Sequence, residues 1–163
     1  MSTFWEIEKN IMKKGFSRNE NFLRNRDIRR VMHTSKPEVV KQMLEYVNDQ
    51  ELADKVKDPS FGSPSLTDGF SLPTVRNLFY RHIMHDFFDV DQINHITDFG
   101  GGYGNNCRLW KTLGYNGQFA LVDLKEVLEI QKYYLSNVLD DLSNINFYET
   151  VHDIKGLQSK SLF

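Results

Sequence analysis

"HITDFGGGYGNNCRLW", residues 95–110, places four glycines within five positions directly after a short apolar run. Each glycine in a regular element costs roughly 0.5–1 kcal/mol relative to alanine, because it gives up more backbone freedom on folding. A chain accepts that cost where the backbone must bend sharply or where another group must approach the main chain. The flanks identify the bend. "INHITDF" (93–99) reads as a short strand, and "NNCRLWKTL" (105–113) reads as a helix ended by the turn "GYNG". The glycines therefore sit on a strand-to-helix turn.

Downstream, "QFALVDL" (118–124) is a continuous apolar run ending in a carboxylate, the pattern of a parallel strand buried on both faces. "KEVLEIQKYYLSNVL" (125–139) sets Val127, Ile130, Tyr134 and Val138 on one face with Leu128, Leu135 and Leu139 beside them, which predicts a helix. "NINFYET" (144–150) supplies a third strand. Strand, helix, strand, helix, strand with short connections implies right-handed crossovers and an open parallel sheet. The predicted fold class is α/β, a partial Rossmann-like core.

Upstream the pattern is helical. Residues 1–34 carry Ile7, Ile11, Phe16, Phe22, Leu23, Ile28 and Val31 among many charges, and "TSKPEVVKQMLEYV" (34–47) has Thr34 or Ser35 as a cap with a proline in the first turn. "DPSFGSPSLTDGFSLP" (58–73) is aperiodic and reads as a loop. From the cap Ser71, Val75, Leu78, Phe79, His82 and Ile83 form a helical stripe. The sequence divides into a helical N-terminal region, 1–70, and a sheet-bearing domain, 71–163.

The composition bounds the function. With 163 residues, 40% hydrophobic, 26% charged and a formal net charge of -2, the chain is ordinary globular material with no electrostatic reason to bind nucleic acid. The basic run "RNRDIRR" (24–30) reads as a solvated helix face. A lone Cys107 cannot form an internal disulfide, and no 18-residue apolar span appears, so a cytoplasmic setting without membrane contact is expected. Cys107 receives no role. His82 and His85 share a helical face, but only Asp86 is near enough to complete a ligand set, so no metal is expected.

In a parallel sheet, a ligand occupies the crevice beyond the carboxyl ends of the strands, and the first strand-to-helix turn forms its floor. Gly100, Gly102 and Gly104 lie on that turn, and Asp123 ends the second strand 19 positions past Gly104. That separation is close to the ~20 residues at which an acid meets a ribose. Together they indicate a cofactor with an adenosine half. The dinucleotide fingerprint G-x-G-x-x-G/A fails at Asn105 when started from Gly100 and at Cys107 when started from Gly102. What fits is acid-x-Gly-x-Gly-x-Gly from Asp98. An acid there would face a pyrophosphate unfavourably but suits the ammonium of a methionine moiety, which favours S-adenosyl-L-methionine.

"DFGGGYG" followed by "ALVDLKEVLEIQKYYLSNVL" resembles the glycine-rich motif and second strand of class I S-adenosylmethionine-dependent methyltransferases. More narrowly it is similar to the putative sugar O-methyltransferase family, with its "DxGGGYG", "hhDLPEVL" and "QxYYL" patterns; Lys125 stands where that family often has proline. "GSP" (62–64) and "LPTVRNLFYRHIM" also look like that family's helical N-terminal region. The resemblance implies that Asp98, Phe99, Gly100, Gly101, Gly102 and Gly104 surround the methionine end. It also implies that Asp123 holds the ribose with Leu124 beside the adenine. The loop Glu149 to Asp153 would reach the adenine edge, and the acceptor would be a small-molecule or glycan hydroxyl.

A class I sheet has seven strands, and this sequence supplies three, with Leu162 and Phe163 reading as the opening of a fourth beside the first. The expectation is a fragment, or a sheet completed by a partner chain. No catalytic base is assigned, although His152 and Asp153 follow the third strand. The rival readings are a non-catalytic cofactor-binding or interaction module and a nicotinamide-dependent oxidoreductase.

Overall fold

The computed structural model describes residues 4–32, 36–47, 49–154 and 161–162. Helices α1 (Phe4–Gly15), α2 (Arg26–Met32), α3 (Pro37–Val47), α4 (Gln50–Lys55) and α5 (Leu72–Phe87) come first. Strand β1 (His95–Phe99), helix α6 (Asn105–Thr112), strand β2 (Gln118–Val122), helix α7 (Lys125–Val138), strand β3 (Ile145–Tyr148) and the two-residue β4 (Ser161–Leu162) follow. The chain is a helical N-terminal region followed by a parallel sheet with interleaved helices.

The sheet order is β3-β2-β1-β4, and every pairing is parallel. His95 lies opposite Gln118 and Phe99 opposite Val122, so β1 and β2 end level with one another. That register brings Asp98, near the end of β1, and Asp123, just past β2, to the same sheet edge. Residues Phe119 to Val122 are all buried, as the apolar run demands of a strand covered on both faces. Leu162 pairs with Ile96, the position expected of a fourth strand beside the first, while Phe163 lies outside the described residues.

Local signals explain most element boundaries. Ser71 caps α5 by accepting from the Thr74 N–H, and a proline occupies its first turn. Pro37 opens α3 as expected, whereas the candidate caps Thr34 and Ser35 lie outside the described residues. Helix α4 was not legible by periodicity; it is short, and its N-cap Asp49 accepts from the Leu52 N–H at 2.8 Å.

The N-terminal helices share the sheet's core. Phe16 meets Tyr133 of α7 edge-on at 5.7 Å, and Phe22 meets Tyr134 likewise at 6.2 Å. Tyr46 of α3 packs against Phe79 of α5 at 4.9 Å, and His82 against Tyr46 at 5.9 Å. Among the described residues no helix is long and apolar enough to cross a membrane.

Candidate functional site

The glycine turn begins where β1 stops. The Gly100 N–H extends the β1–β2 ladder by donating to the Val122 carbonyl at 3.1 Å, and the Gly104 N–H closes the turn on the Gly101 carbonyl at 3.0 Å. Gly100, Gly102 and Gly104 all have positive φ, the region in which side chains are disfavoured. Their surroundings differ. A Cβ on Gly100 would meet nothing within 4 Å, whereas one on Gly102 would make ordinary contact with the Met32 carbonyl oxygen at 3.9 Å. A Cβ on Gly101 would strike Asp98 Oδ2 at 2.8 Å, and one on Gly104 would press on Leu135 at 3.2 Å. Gly104 therefore serves close packing of α6 on α7, while Gly100 and Gly102 bound a space.

That space is a cavity of about 190 Å³ lined by Asp98, Gly100, Gly101 and Gly102 together with Met32 of α2 and Arg76 of α5. An adjoining cavity of about 320 Å³ shares Asp98 and runs past Thr97 and the half-exposed Phe99 to Trp110. Burial raises the pKa of Asp98, opposed by the Asn106 amide, whose Nδ2 donates to Oδ2 at 3.2 Å.

Asp123 is tied to the same turn. Its Oδ1 accepts from the Leu124 N–H at 2.8 Å and its Oδ2 from Gln131 Nε2 at 3.1 Å. The same Nε2 also donates to the Gly102 carbonyl at 3.1 Å. Gln131 is fully buried, and its Oε1 has no partner among the described residues. The glutamine thus fixes the distance between the strand-end acid and the glycine turn. A carboxylate offers about four acceptor positions, so Asp123 retains capacity for two more donors. Burial, with a smaller push from the Asp98 charge, raises its pKa to about 6 against the bonds from Leu124 and Gln131.

These shifts have a definite sign. Asp123 moves from 3.8 to about 6, so the folded chain binds more protons than the unfolded one between those values. Its contribution to stability is full at the acid end and falls as pH rises through about 6. Asp98 is shifted in the same direction. The Asp123→Asn variant has no such titration, so the difference in melting temperature should move in the variant's favour from pH 4 to pH 7. A difference constant across that range would refute the assignment.

Behind the turn lies a second polar cluster. Arg108 of α6 donates to Asn105 Oδ1 at 2.8 Å, to the Val56 carbonyl at 3.2 Å and to the Lys57 carbonyl at 3.3 Å. Its guanidinium is 4.0 Å from Asp58. Asp58 accepts from the Ser71 N–H at 2.7 Å and from the Thr74 hydroxyl at 2.8 Å, and Asn105 Nδ2 donates to Thr74 Oγ1 at 2.7 Å. Asn105, which breaks the dinucleotide fingerprint, is thus a buried member of a network joining the 58–73 loop, α5 and α6.

The remaining candidates fall outside these groups. Leu124 packs partly buried at the N-cap of α7. Cys107 is buried, which pushes its thiol pKa up. His152 and Asp153 sit exposed in a 3-10 turn after β3 and do not line the glycine-turn cavity. Sequence reading passed over Gln131, although its spacing from Leu128 and Leu135 puts an amide on the buried stripe of α7. Comparison with protein-family models, curated proteins and solved structures gives no match, so the site's chemistry is read from its own residues.

Proposed function

We propose that this chain is the cofactor-binding part of an S-adenosylmethionine-dependent O-methyltransferase acting on a sugar or glycan hydroxyl. The observation that carries the reading is the Gln131 bridge, whose Nε2 donates to both the Gly102 carbonyl and Asp123 Oδ2 and so ties the glycine turn to the strand-end acid at the carboxyl ends of β1 and β2. The open space beside Gly100 admits a ligand to the main chain, and the spare acceptor positions of Asp123 match a pair of ribose hydroxyls. Asp98 at the cavity wall favours an ammonium over a pyrophosphate, against a nicotinamide cofactor. The sugar acceptor follows from the resemblance of the "DLKEVL" and "QKYYL" segments.

When bound, S-adenosylmethionine supplies an electrophilic sulfonium methyl. The chain's own residues bind and orient: Asp98 holds the amino-acid end, the turn's backbone borders it, and Asp123 fixes the ribose. Orientation matters because methyl transfer requires alignment of the attacking oxygen with the methyl carbon.

A second reading is the non-catalytic interaction module.

Calorimetric titration with S-adenosylhomocysteine, and separately with NADH, tests the first reading. Micromolar binding of the former alone supports it; a folded chain that binds neither favours the interaction module. Asp123→Ala should weaken S-adenosylhomocysteine binding by roughly tenfold or more, the equivalent of about 1.4 kcal/mol. Unchanged affinity would remove the ribose assignment.

A further inference from the structure

Asp123 can accept only so many hydrogen bonds, and the fold has filled about half of its positions. A carboxylate offers about four, two on each oxygen. The Leu124 N–H takes one on Oδ1 at 2.8 Å, and Gln131 Nε2 takes one on Oδ2 at 3.1 Å. About one position remains on each oxygen. A ribose diol donates twice and fills both. A proton on either oxygen fills one and turns that oxygen into a donor, so diol and proton need the same place.

Gln131 biases that contest. Its amide is fully buried, and Nε2 spends its two hydrogens on Asp123 and on the Gly102 carbonyl, each at 3.1 Å. Turning the amide over would set Oε1 against two acceptors, so the donating orientation is locked. Oε1 itself has no partner among the described residues, a cost that leucine or methionine on the apolar stripe of α7 would not carry. Packing alone therefore does not account for a glutamine here. Of the other groups around Asp123, Asp98 of β1 disfavours a second charge, and Lys125 and Glu126 follow in the first turn of α7. From β3 the Tyr148 carbonyl accepts from the Asp123 N–H at 3.1 Å.

Resting on the methyltransferase reading, we propose that cofactor and proton compete for Asp123, and that Gln131 is the positioning residue that tips the contest toward the cofactor. Burial pushes the Asp123 carboxyl up to about 6 while the bonds from Leu124 and Gln131 pull it down, so mild acid brings the competition into play. Near that pH, cofactor binding sends the Asp123 proton to solvent, and acidification releases the cofactor.

Calorimetry of the full chain with S-adenosylhomocysteine, from pH 5 to pH 8.5 in buffers of differing ionisation enthalpy, reads affinity and proton release together. From pH 7 to pH 5 the affinity should fall about tenfold or more, as one proton competing near pH 6 requires. Protons should be released on binding over the same range. Burial raises Asp98 as well, so the Asp123→Ala chain measures the part of the release to subtract. Gln131→Met, which removes a hydrogen bond to the ionised carboxylate, should move the Asp123 midpoint above 6 and weaken binding by about twofold or more at pH 7. Most of that loss should be recovered by pH 8.5, where the carboxylate is ionised in both chains.

A loss of equal size at every pH, or an unmoved midpoint, would make Gln131 a structural support and overturn the proposal while leaving the methyltransferase reading in place. Where Gln131→Met does not fold, proton release by the unsubstituted chain decides: a release no larger than that of Asp123→Ala overturns the competition. If the folded, unsubstituted chain binds no S-adenosylhomocysteine at any pH, the proposal and the reading fall together.

Discussion

Replacing Arg108 by methionine is expected to lower the unfolding free energy by about 3–5 kcal/mol, the cost of removing one partner from a buried ion pair. Side chains of Arg108 and Asp58 are 4% and 0% exposed, so neither charge can turn to water when the other is lost. Methionine fills the volume of the aliphatic stem but supplies no donor. The carbonyls of Val56 and Lys57 and the amide oxygen of Asn105 lose the bonds they accept from the guanidinium. Asp58 keeps its bonds from Ser71 and Thr74, which hold it in place without neutralising it. Urea denaturation at pH 7 measures the loss, and a change below about 1 kcal/mol would show the pair to be energetically idle. Adding Asp58→Asn to Arg108→Met removes the stranded charge and should recover part of the stability. The double variant also provides the measurement if the single one fails to fold.

The consequence reaches the candidate site because Asn105 is both the first residue of α6 and a member of this network. Where α6 begins is where the glycine turn ends. Loosening the network should displace the turn relative to α5, whose Arg76 lines the same cavity.

How far sequence alone reaches here depends on the kind of information. Strands β1 to β3 and helices α5 to α7 were legible because periodicity, caps and glycine turns are local. The turn's φ > 0 positions and the strand-end acid were legible for the same reason. Gln131 and Arg108 were not, since a polar residue within an apolar helix announces burial but not its partner. Gln131 reaches Gly102 across 29 positions, and Arg108 reaches Val56 across 52. Asp58 stood in a stretch rich in glycine, proline and serine that reads as surface loop, yet its side chain is wholly buried. Its bonds from Ser71 and Thr74, with Arg108 of α6 at 4.0 Å, hold that part of the loop inward. Even Asn105, noticed for the motif it breaks, gave no sign that Thr74 and Arg108 would claim its side chain.

Placing valine at Gly102 is expected to abolish S-adenosylhomocysteine binding, a loss of at least about a hundredfold, or 2.7 kcal/mol. Two effects act together. The backbone sits at φ +58, where a β-branched residue is a genuine outlier and strain costs about 1–3 kcal/mol. The valine methyls would also take up room beside the Met32 carbonyl in a cavity of only about 190 Å³ that Gly102 lines. Alanine separates the two. Its Cβ meets nothing nearer than the Met32 carbonyl at 3.9 Å, so Gly102→Ala should fold with about 1–2 kcal/mol of backbone strain and a smaller loss of affinity. Gly101→Ala differs in kind, because its Cβ collides with Asp98 Oδ2 at 2.8 Å and must displace the acid itself. Graded affinity from glycine through alanine to valine at 102, in variants that melt cooperatively, would mean that the turn borders the ligand. A folded Gly102→Val chain that binds as tightly as the parent would mean that the ligand lies elsewhere on the sheet edge.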